Sequence, residues 1–179
     1  MKKVIFVIAV LLVTVTAQGQ QFNKGTTAIN VGLGLGTALG GLGKARPAIS
    51  ASVDRGVWGV GGPGVVSLGG YLGNTGYKYS DGGYDAKWNY FIVGARGAYH
   101  YNGLTTVPKL DVYGGVMLAY NIVSYSADGD GMTDSNSYGS GMGFSGFVGG
   151  RWLFSERVGA YAELGYGVSV LNVGVTFLF

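Results

Sequence analysis

Large apolar residues alternate with small or polar ones along most of the chain. In the last nine residues Leu171, Val173, Val175, Phe177 and Phe179 alternate with Asn172, Gly174, Thr176 and Leu178. Alternate side chains of a strand point to opposite faces, so this segment has one large apolar face and one mostly small or polar face. Its length suits a tilted strand crossing a bilayer core, which takes roughly 9–11 residues. The same two-residue period predicts seven more strands, at about 26–36, 47–55, 64–74, 87–101, 109–125, 141–154 and 158–167. Ile29, Val31, Leu33 and Leu35 oppose Asn30, Gly32 and Gly34 in the first; Phe144, Val148, Trp152 and Phe154 oppose Ser145, Gly149 and Arg151 in the sixth. An open sheet ending on its most apolar strand would invite edge pairing, and a closed barrel in a membrane removes that edge.

The connections carry direction. Polar stretches at 75–86 and 126–140 are long, whereas those around 56–58, at 102–108 and at 155–157 are short. Short periplasmic turns and longer outer loops are the rhythm of outer-membrane barrels, and an even strand number puts both termini on the periplasmic side. Trp58, Tyr99, Tyr101, Trp152, Phe154, Phe177 and Phe179 then fall at one rim, where an aromatic girdle is expected at the lipid interface. The fold class predicted is all-β: an eight-stranded antiparallel up-and-down transmembrane β-barrel, preceded by a cleavable signal peptide. Residues 1–19 supply that peptide, with Lys2 and Lys3 ahead of an apolar run at 4–13 and small residues for cleavage; residues 20–179 form the barrel domain.

Composition changes this picture little. Glycine makes up 36 of 179 residues, about 20% against a usual ~7%, but is interleaved with Val, Leu, Tyr and Phe, which argues against disorder. The net charge of +3 includes Lys2 and Lys3, so nucleic-acid binding has no electrostatic support once they are removed. The chain has no cysteine, hence no disulfide and no thiolate metal site.

Arg96, Asp111, Arg151 and Glu163 lie on the polar face of their strands. An arginine facing lipid at the midplane would cost roughly 2–4 kcal/mol, so the register that turns it inward is favoured. A lumen charge network of Arg96, Arg151, Glu163 and Asp111 is expected, with Arg151 and Glu163, from consecutive strands, as a pair. It reads as charge-satisfied filling of a plugged lumen, with a proton relay or gate as the sharper alternative.

Catalytic parts are scarce. His100, the only histidine, is predicted near the periplasmic rim, and no G-x-S-x-G elbow occurs. The glycine-rich run 32–41 has Leu39 where a dinucleotide loop needs its third glycine. Asp128-Gly129-Asp130-Gly131 with Asp134 hints at a calcium loop, but Met132 stands at the next ligand position, so a solvated outer loop is the reading. No catalytic residue, cofactor or metal is assigned, and the chain is read as a non-enzyme.

The signal peptide, the alternating strands and the terminal Phe179 resemble the small outer-membrane β-barrel family of the OmpA/OmpX type. The segment Val158-Gly159-Ala160-Tyr161-Ala162-Glu163-Leu164-Gly165-Tyr166-Gly167 and residues 171–179 are similar to that family's last hairpin. The resemblance implies the outer membrane of a Gram-negative envelope, with Val175, Phe177 and Phe179 as the signal read by the barrel-assembly machinery. It also implies outer-membrane lipid and lipopolysaccharide as surroundings. Unlike full-length OmpA, the chain carries no carboxy-terminal peptidoglycan-binding domain, so a wall-anchoring role is unsupported. The expected role is structural or adhesion-like, through outer loops 75–86 and 126–140 and a surface ligand of unknown identity. The alternatives are a narrow pore or gated channel, a lipid-modifying enzyme built on His100, and a soluble lipocalin-like carrier with its apolar face turned inward.

Overall fold

A computed structural model describes residues 22–36, 44–81, 84–104, 107–128, 139–165 and 167–179. The predicted signal peptide, residues 1–19, lies outside the described residues. Eight strands follow one another as β1 (Thr27–Leu35), β2 (Lys44–Val60), β3 (Gly64–Asp81), β4 (Tyr84–Tyr101), β5 (Leu110–Asp128), β6 (Gly141–Leu153), β7 (Val158–Gly165) and β8 (Leu171–Leu178). Each pairs antiparallel with its neighbours, and β8 returns to β1 to close the barrel. The seam runs from Ala28 opposite Leu178 to Leu35 opposite Leu171, and Thr27 and Phe179 exchange two backbone hydrogen bonds of 2.8 Å. Closure satisfies the backbone groups that lipid could not.

The alternation read from the sequence decides which way each strand faces. Ile29, Val31, Leu33 and Leu35 are exposed while Ala28 and Asn30 on either side of Ile29 are buried; Phe144 and Val148 are exposed beside buried Ser145 and Phe147. The large apolar side chains point out and the polar ones point in, which rules out a lipocalin-like arrangement. On β5 the outward residues Val112, Val116, Leu118, Tyr120 and Ile122 form an unbroken apolar line. At about 3.3 Å per residue and a tilt of about 40°, it spans about 25 Å, the height of an outer-membrane apolar band.

Glycines on the inner face make room for large side chains. A Cβ on Gly32 would collide with the Tyr161 hydroxyl, one on Gly149 with Tyr113, and one on Gly73 with Val168. The high glycine content is thus the lumen's allowance for tyrosine, arginine and phenylalanine.

The strands outrun the predicted bounds on one side of the barrel. Strand β2 continues through Trp58, past a bulge between Gly56 and Trp58, to a turn at residues 61–63, where Gly62 takes φ +110°. Residues 75–81 and 84–86, read as part of a loop, extend β3 and β4 with unbroken pairing out to Asp81 opposite Tyr84. Strand β5 likewise runs to Asp128. Outside lipid neither face need be apolar, so the alternation fades while backbone pairing continues. Strands β7 and β8, of 8 residues each, stay short. The wall is therefore tall along β2–β5 and low along β7–β8.

Two segments enter the barrel ends. Phe22, just ahead of β1, is fully buried at the end of the barrel where Thr27 meets Phe179, and Asn102 Nδ2 donates to its carbonyl at 2.9 Å. At the far end the connection between β7 and β8 folds inward. Val168 and Ser169 are buried, and the Val168 amide donates to the Tyr71 hydroxyl at 3.4 Å.

Candidate functional site

The lumen is built from one or two inward positions on each strand. Strand β2 contributes Asp54, β3 Ser67 and Tyr71, β4 Arg96 and His100, β5 Asp111 and Tyr113, β6 Arg151, and β7 Glu163; all are buried. Arg151 sits at the hub, with its side chain 0% exposed. Its Nη2 donates to Asp54 Oδ2 at 2.6 Å, its Nη1 to Asp111 Oδ2 at 2.7 Å and its Nε to Asn30 Oδ1 at 3.1 Å. Arg96 grips Glu163 with both ends of its fork, at 3.2 and 2.7 Å, and Tyr113 donates to the same carboxylate at 3.1 Å. Arg96 Nε also stands 3.0 Å from Asp54 Oδ1, an ion-pair contact off the hydrogen-bonding direction, so Asp54 joins the two arginines. Both guanidiniums lie over rings, Arg96 at 3.9 Å from Phe147 and Arg151 at 4.2 Å from Tyr113. Buried charges persist only when paired and hydrogen-bonded, and these are.

The expected pair of Arg151 with Glu163 does not form. In register Arg151 stands opposite Tyr161 and Glu163 opposite Gly149. Arg151 crosses the lumen to Asp54 on β2 and pairs with Asp111, the residue directly opposite it on neighbouring β5, and Arg96 reaches across to Glu163 on β7. An eight-stranded barrel is so narrow that opposite walls lie within one arginine's reach, so distance across the lumen, not sequence order, picks the partner. Asp54 is the network member missed at the sequence level. Its place on the polar face of β2, after Ser50 and Ser52, was the available signal.

His100 lies inside the wall and is fully buried. Its Nδ1 is 3.0 and 3.1 Å from the two Asp111 carboxylate oxygens, and its Nε2 is 3.0 Å from Ser67 Oγ. A carboxylate offers only lone pairs, so Nδ1 carries a proton and Nε2 faces the serine. The order Ser–His–Asp repeats the hydrogen-bonding chain of a serine hydrolase. Here Ser67 is 0% exposed, and Phe22 stacks on the imidazole with ring centroids 3.8 Å apart. As it stands the chain of three is enclosed.

Between the network and the far end, Tyr71, Met117, Phe147 and neighbours leave a cavity of about 10 Å³, about the size of one water site.

On the tall side the wall presents two surfaces. Its inner face is aromatic: Tyr77 and Tyr90 pack edge-on with ring centroids 6.1 Å apart, and Trp88 and Tyr125 pack tilted at 5.1 Å. Its outer face is polar and basic around Arg46, Asn74, Lys78, Lys87 and Asn89, and a cleft of about 800 Å³ is lined by these together with Tyr77 and Trp88 of the inner face. Trp58, Tyr99, Tyr101, Trp152 and Phe154 are exposed at strand ends on the side that holds Phe22, together with Phe177 and Phe179; Val175 is exposed farther along β8. Of the stretch 126–140, β5 claims residues to Asp128; Gly129, Asp130, Gly131, Met132 and Asp134 of the calcium-loop motif lie outside the described residues.

No family model and no curated protein matches the chain. Solved structures do. Ail, the attachment invasion locus protein of Yersinia pestis, solved with the heparin analogue sucrose octasulfate, superposes with a TM-score of 0.54 at 14% identity, over 87% of this chain and 95% of Ail. The N-terminal β-barrel domain of Pseudomonas aeruginosa OprF matches at a TM-score of 0.44 and 18% identity, over 87% and 98%. Neisserial surface protein A matches at 0.44 and 18%, over 86% and 96%. The likeness to Ail shows the fold, that of the small eight-stranded outer-membrane barrels of the OmpA/OmpX type. Its apolar belt turned outward is the build of a membrane-spanning barrel of that fold.

Proposed function

We propose that the chain is a surface-interaction barrel, with the lipid-facing wall as anchor and the projecting part of β2–β5 as contact surface. The observation that carries this reading is the one-sided height of the wall. Beyond Asn74 strand β3 runs on to Asp81, about 18 Å at the same rise and tilt. A paired sheet of that reach, faced with Tyr77, Trp88, Tyr90 and Tyr125, offers rigid aromatic contact area at low entropic cost. In this orientation the short turns and both termini face the periplasm and the tall wall faces outward. Residues 1–19 direct export, and Val175, Phe177 and Phe179 present the outward face of β8 to the assembly machinery.

The lumen favours an anchor over a pore, because Arg96, Arg151 and their partners occupy its cross-section and Phe22 and Val168 fill its ends. The sulfated sugar bound by Ail makes sulfated polysaccharide the first partner class to try.

The test is adhesion of cells displaying the barrel to surfaces coated with sulfated polysaccharide or matrix protein. Displaying cells bind several-fold above controls, and Trp88→Ser with Tyr77→Ser abolishes the gain while an unboiled gel still shows the folded band. Absence of any gain would refute the adhesive role. Stepwise currents in planar bilayers that vanish with Arg96→Ala or Arg151→Ala would install the pore reading. A change in lipid A mass lost in His100→Ala would install the enzyme reading.

A further inference from the structure

Ser67, His100 and Asp111, near the Phe22 end of the lumen, stand in the order of a nucleophilic triad. Asp111 accepts from Arg151 on Oδ2 at 2.7 Å and faces His100 Nδ1 with Oδ1 at 3.0 Å, so carboxylate and imidazole are both fixed. Ser67 Oγ lies 3.0 Å from His100 Nε2 and 3.4 Å from the Ala98 carbonyl, and the nearer acceptor is the ring nitrogen. With Nδ1 protonated against Asp111, Nε2 is left to accept the serine proton. Arg151 Nη1 comes within 3.5 Å of Nδ1, but its charge is met by Asp54 and Asp111. Among the described lumen residues Asp54, Asp111 and Glu163 face Arg96 and Arg151, which leaves one negative charge over. An imidazolium formed at His100 during proton transfer balances that charge.

The cover over the imidazole is not part of the wall. Ser67, His100 and Asp111 belong to β3, β4 and β5, whereas Phe22 belongs to the segment ahead of β1. Its ring stacks on His100 at 3.8 Å and packs in an apolar mouth with Ala28, Val65, Leu153 and Leu178. Residues 23–25, between Phe22 and the wall, are exposed and turn at Gly25, which takes φ +93°. The hydrogen bonds that Gly25 and Thr26 make with Gly56 lie past Phe22, whose carbonyl is held by Asn102 Nδ2 at 2.9 Å. Lifting Phe22 therefore breaks that last bond and unpairs no strand. It uncovers a ring-sized apolar pocket with His100 as its floor.

We propose that this mouth is a latent esterase site, with Ser67 as nucleophile, His100 as general base, Asp111 as positioning residue and Phe22 as lid. The substrate class is a small carboxylic ester whose apolar or aromatic group takes the place of the Phe22 ring against Ala28, Val65, Leu153 and Leu178. Ser67 Oγ bonds to the carbonyl carbon while its proton passes to His100 Nε2; the ester C–O bond then breaks and that proton leaves with the alcohol. Water repeats the sequence on the acyl-serine and releases the acid. The site lies at the opposite end of the barrel from the tall wall, so the inference stands apart from adhesion.

The chain, expressed at full length and purified from membranes in detergent, is treated with a short alkyl fluorophosphonate. The reagent bonds its phosphorus to a reactive serine Oγ and expels fluoride, and peptide mass spectrometry reads the labelled residue. Phe22→Ala is labelled at Ser67 roughly a hundredfold faster than the parent, about the factor by which a buried aromatic ring holds the mouth shut. In the Phe22→Ala background, Ser67→Ala abolishes the label and His100→Gln slows it about a hundredfold, the usual worth of a positioned base. The opened barrel also hydrolyses para-nitrophenyl acetate, and Ser67→Ala removes that turnover, whereas reaction at His100 alone would survive it. Should Phe22→Ala fail to fold, Asn102→Ala, which releases the Phe22 carbonyl and keeps the apolar mouth, carries the test with a smaller acceleration. Diethylpyrocarbonate reports whether the lid is off. A modified His100 beside an unlabelled Ser67 overturns the proposal, as does hydrolysis that survives Ser67→Ala. Absence of both labels from every folded variant overturns it too, because the mouth then stays closed.

Discussion

Replacing Arg151 by methionine isolates the energetics of the lumen, because methionine keeps an unbranched side chain of similar reach while removing charge and every donor. Three hydrogen bonds go, two of them to carboxylates at 2.6 and 2.7 Å. Asp54 is left with Arg96, and Asp111 with His100. A buried ion pair that loses one partner costs about 3–5 kcal/mol, most of it the penalty of the stranded charge. Arg151→Met should therefore destabilise the barrel by about 4 kcal/mol, about a thousandfold in the folding equilibrium. The exposed Arg46 gives the scale: Arg46→Met should cost at most about 1 kcal/mol. Adding Asp54→Asn and Asp111→Asn to Arg151→Met neutralises the stranded carboxylates and should restore half of the loss or more, since neutral replacement of a buried ionic cluster is often tolerated. The assay is urea unfolding in lipid vesicles followed by tryptophan fluorescence, with gel mobility of unboiled samples as a second probe. An unchanged m-value is the condition for comparing midpoints. The reasoning fails if Arg151→Met lies within about 1 kcal/mol of the parent, or if the triple variant is no more stable than the single one.

The remaining predictions use the same assay. Gly69→Ala should cost about 1–3 kcal/mol, because its Cβ would run into the Val53 carbonyl on β2, whereas Gly70→Ala, whose nearest neighbour is 3.8 Å away, should be close to neutral. Tyr113→Phe should cost about 1–3 kcal/mol by removing a donor from the buried Glu163 carboxylate. Phe22→Ala should cost about 3 kcal/mol and uncover His100. Since the chain has one histidine, diethylpyrocarbonate modification reads this directly: slow in the parent, fast in the variant.

Period-two alternation made the wall legible in the sequence, because lipid outside and a packed polar lumen inside hold every spanning residue to one face. Leu33 beside Gly34 and Phe144 beside Ser145 suffice to orient their strands. The pairings inside were not legible. Arg96 and Glu163 are 67 residues apart and meet only because the barrel closes with a particular shear. Asp111 was placed in the lumen, but its contact with His100 depends on register, which sets His100 opposite Tyr113 and Asp111 one diagonal away. Residues 75–81 concealed a strand because beyond the belt the pattern inverts, with Tyr77 on the inner face and Lys78 on the outer, so the apolar-out alternation that marks the spanning residues stops there. Phe22 and Val168 enter the lumen from outside the strands, where no periodicity exists to reveal them.

Oxygen accessibility of single spin labels along β5 tests most directly whether the wall is apolar outward and polar inward. The chain has no cysteine, so each label site can be introduced alone, from Val116 to Ile122. In lipid vesicles, labels at 116, 118, 120 and 122 should collide freely with lipid-dissolved oxygen, and those at 117, 119 and 121 should be shielded. The reverse phase, or accessibility without a two-residue period, would contradict the account.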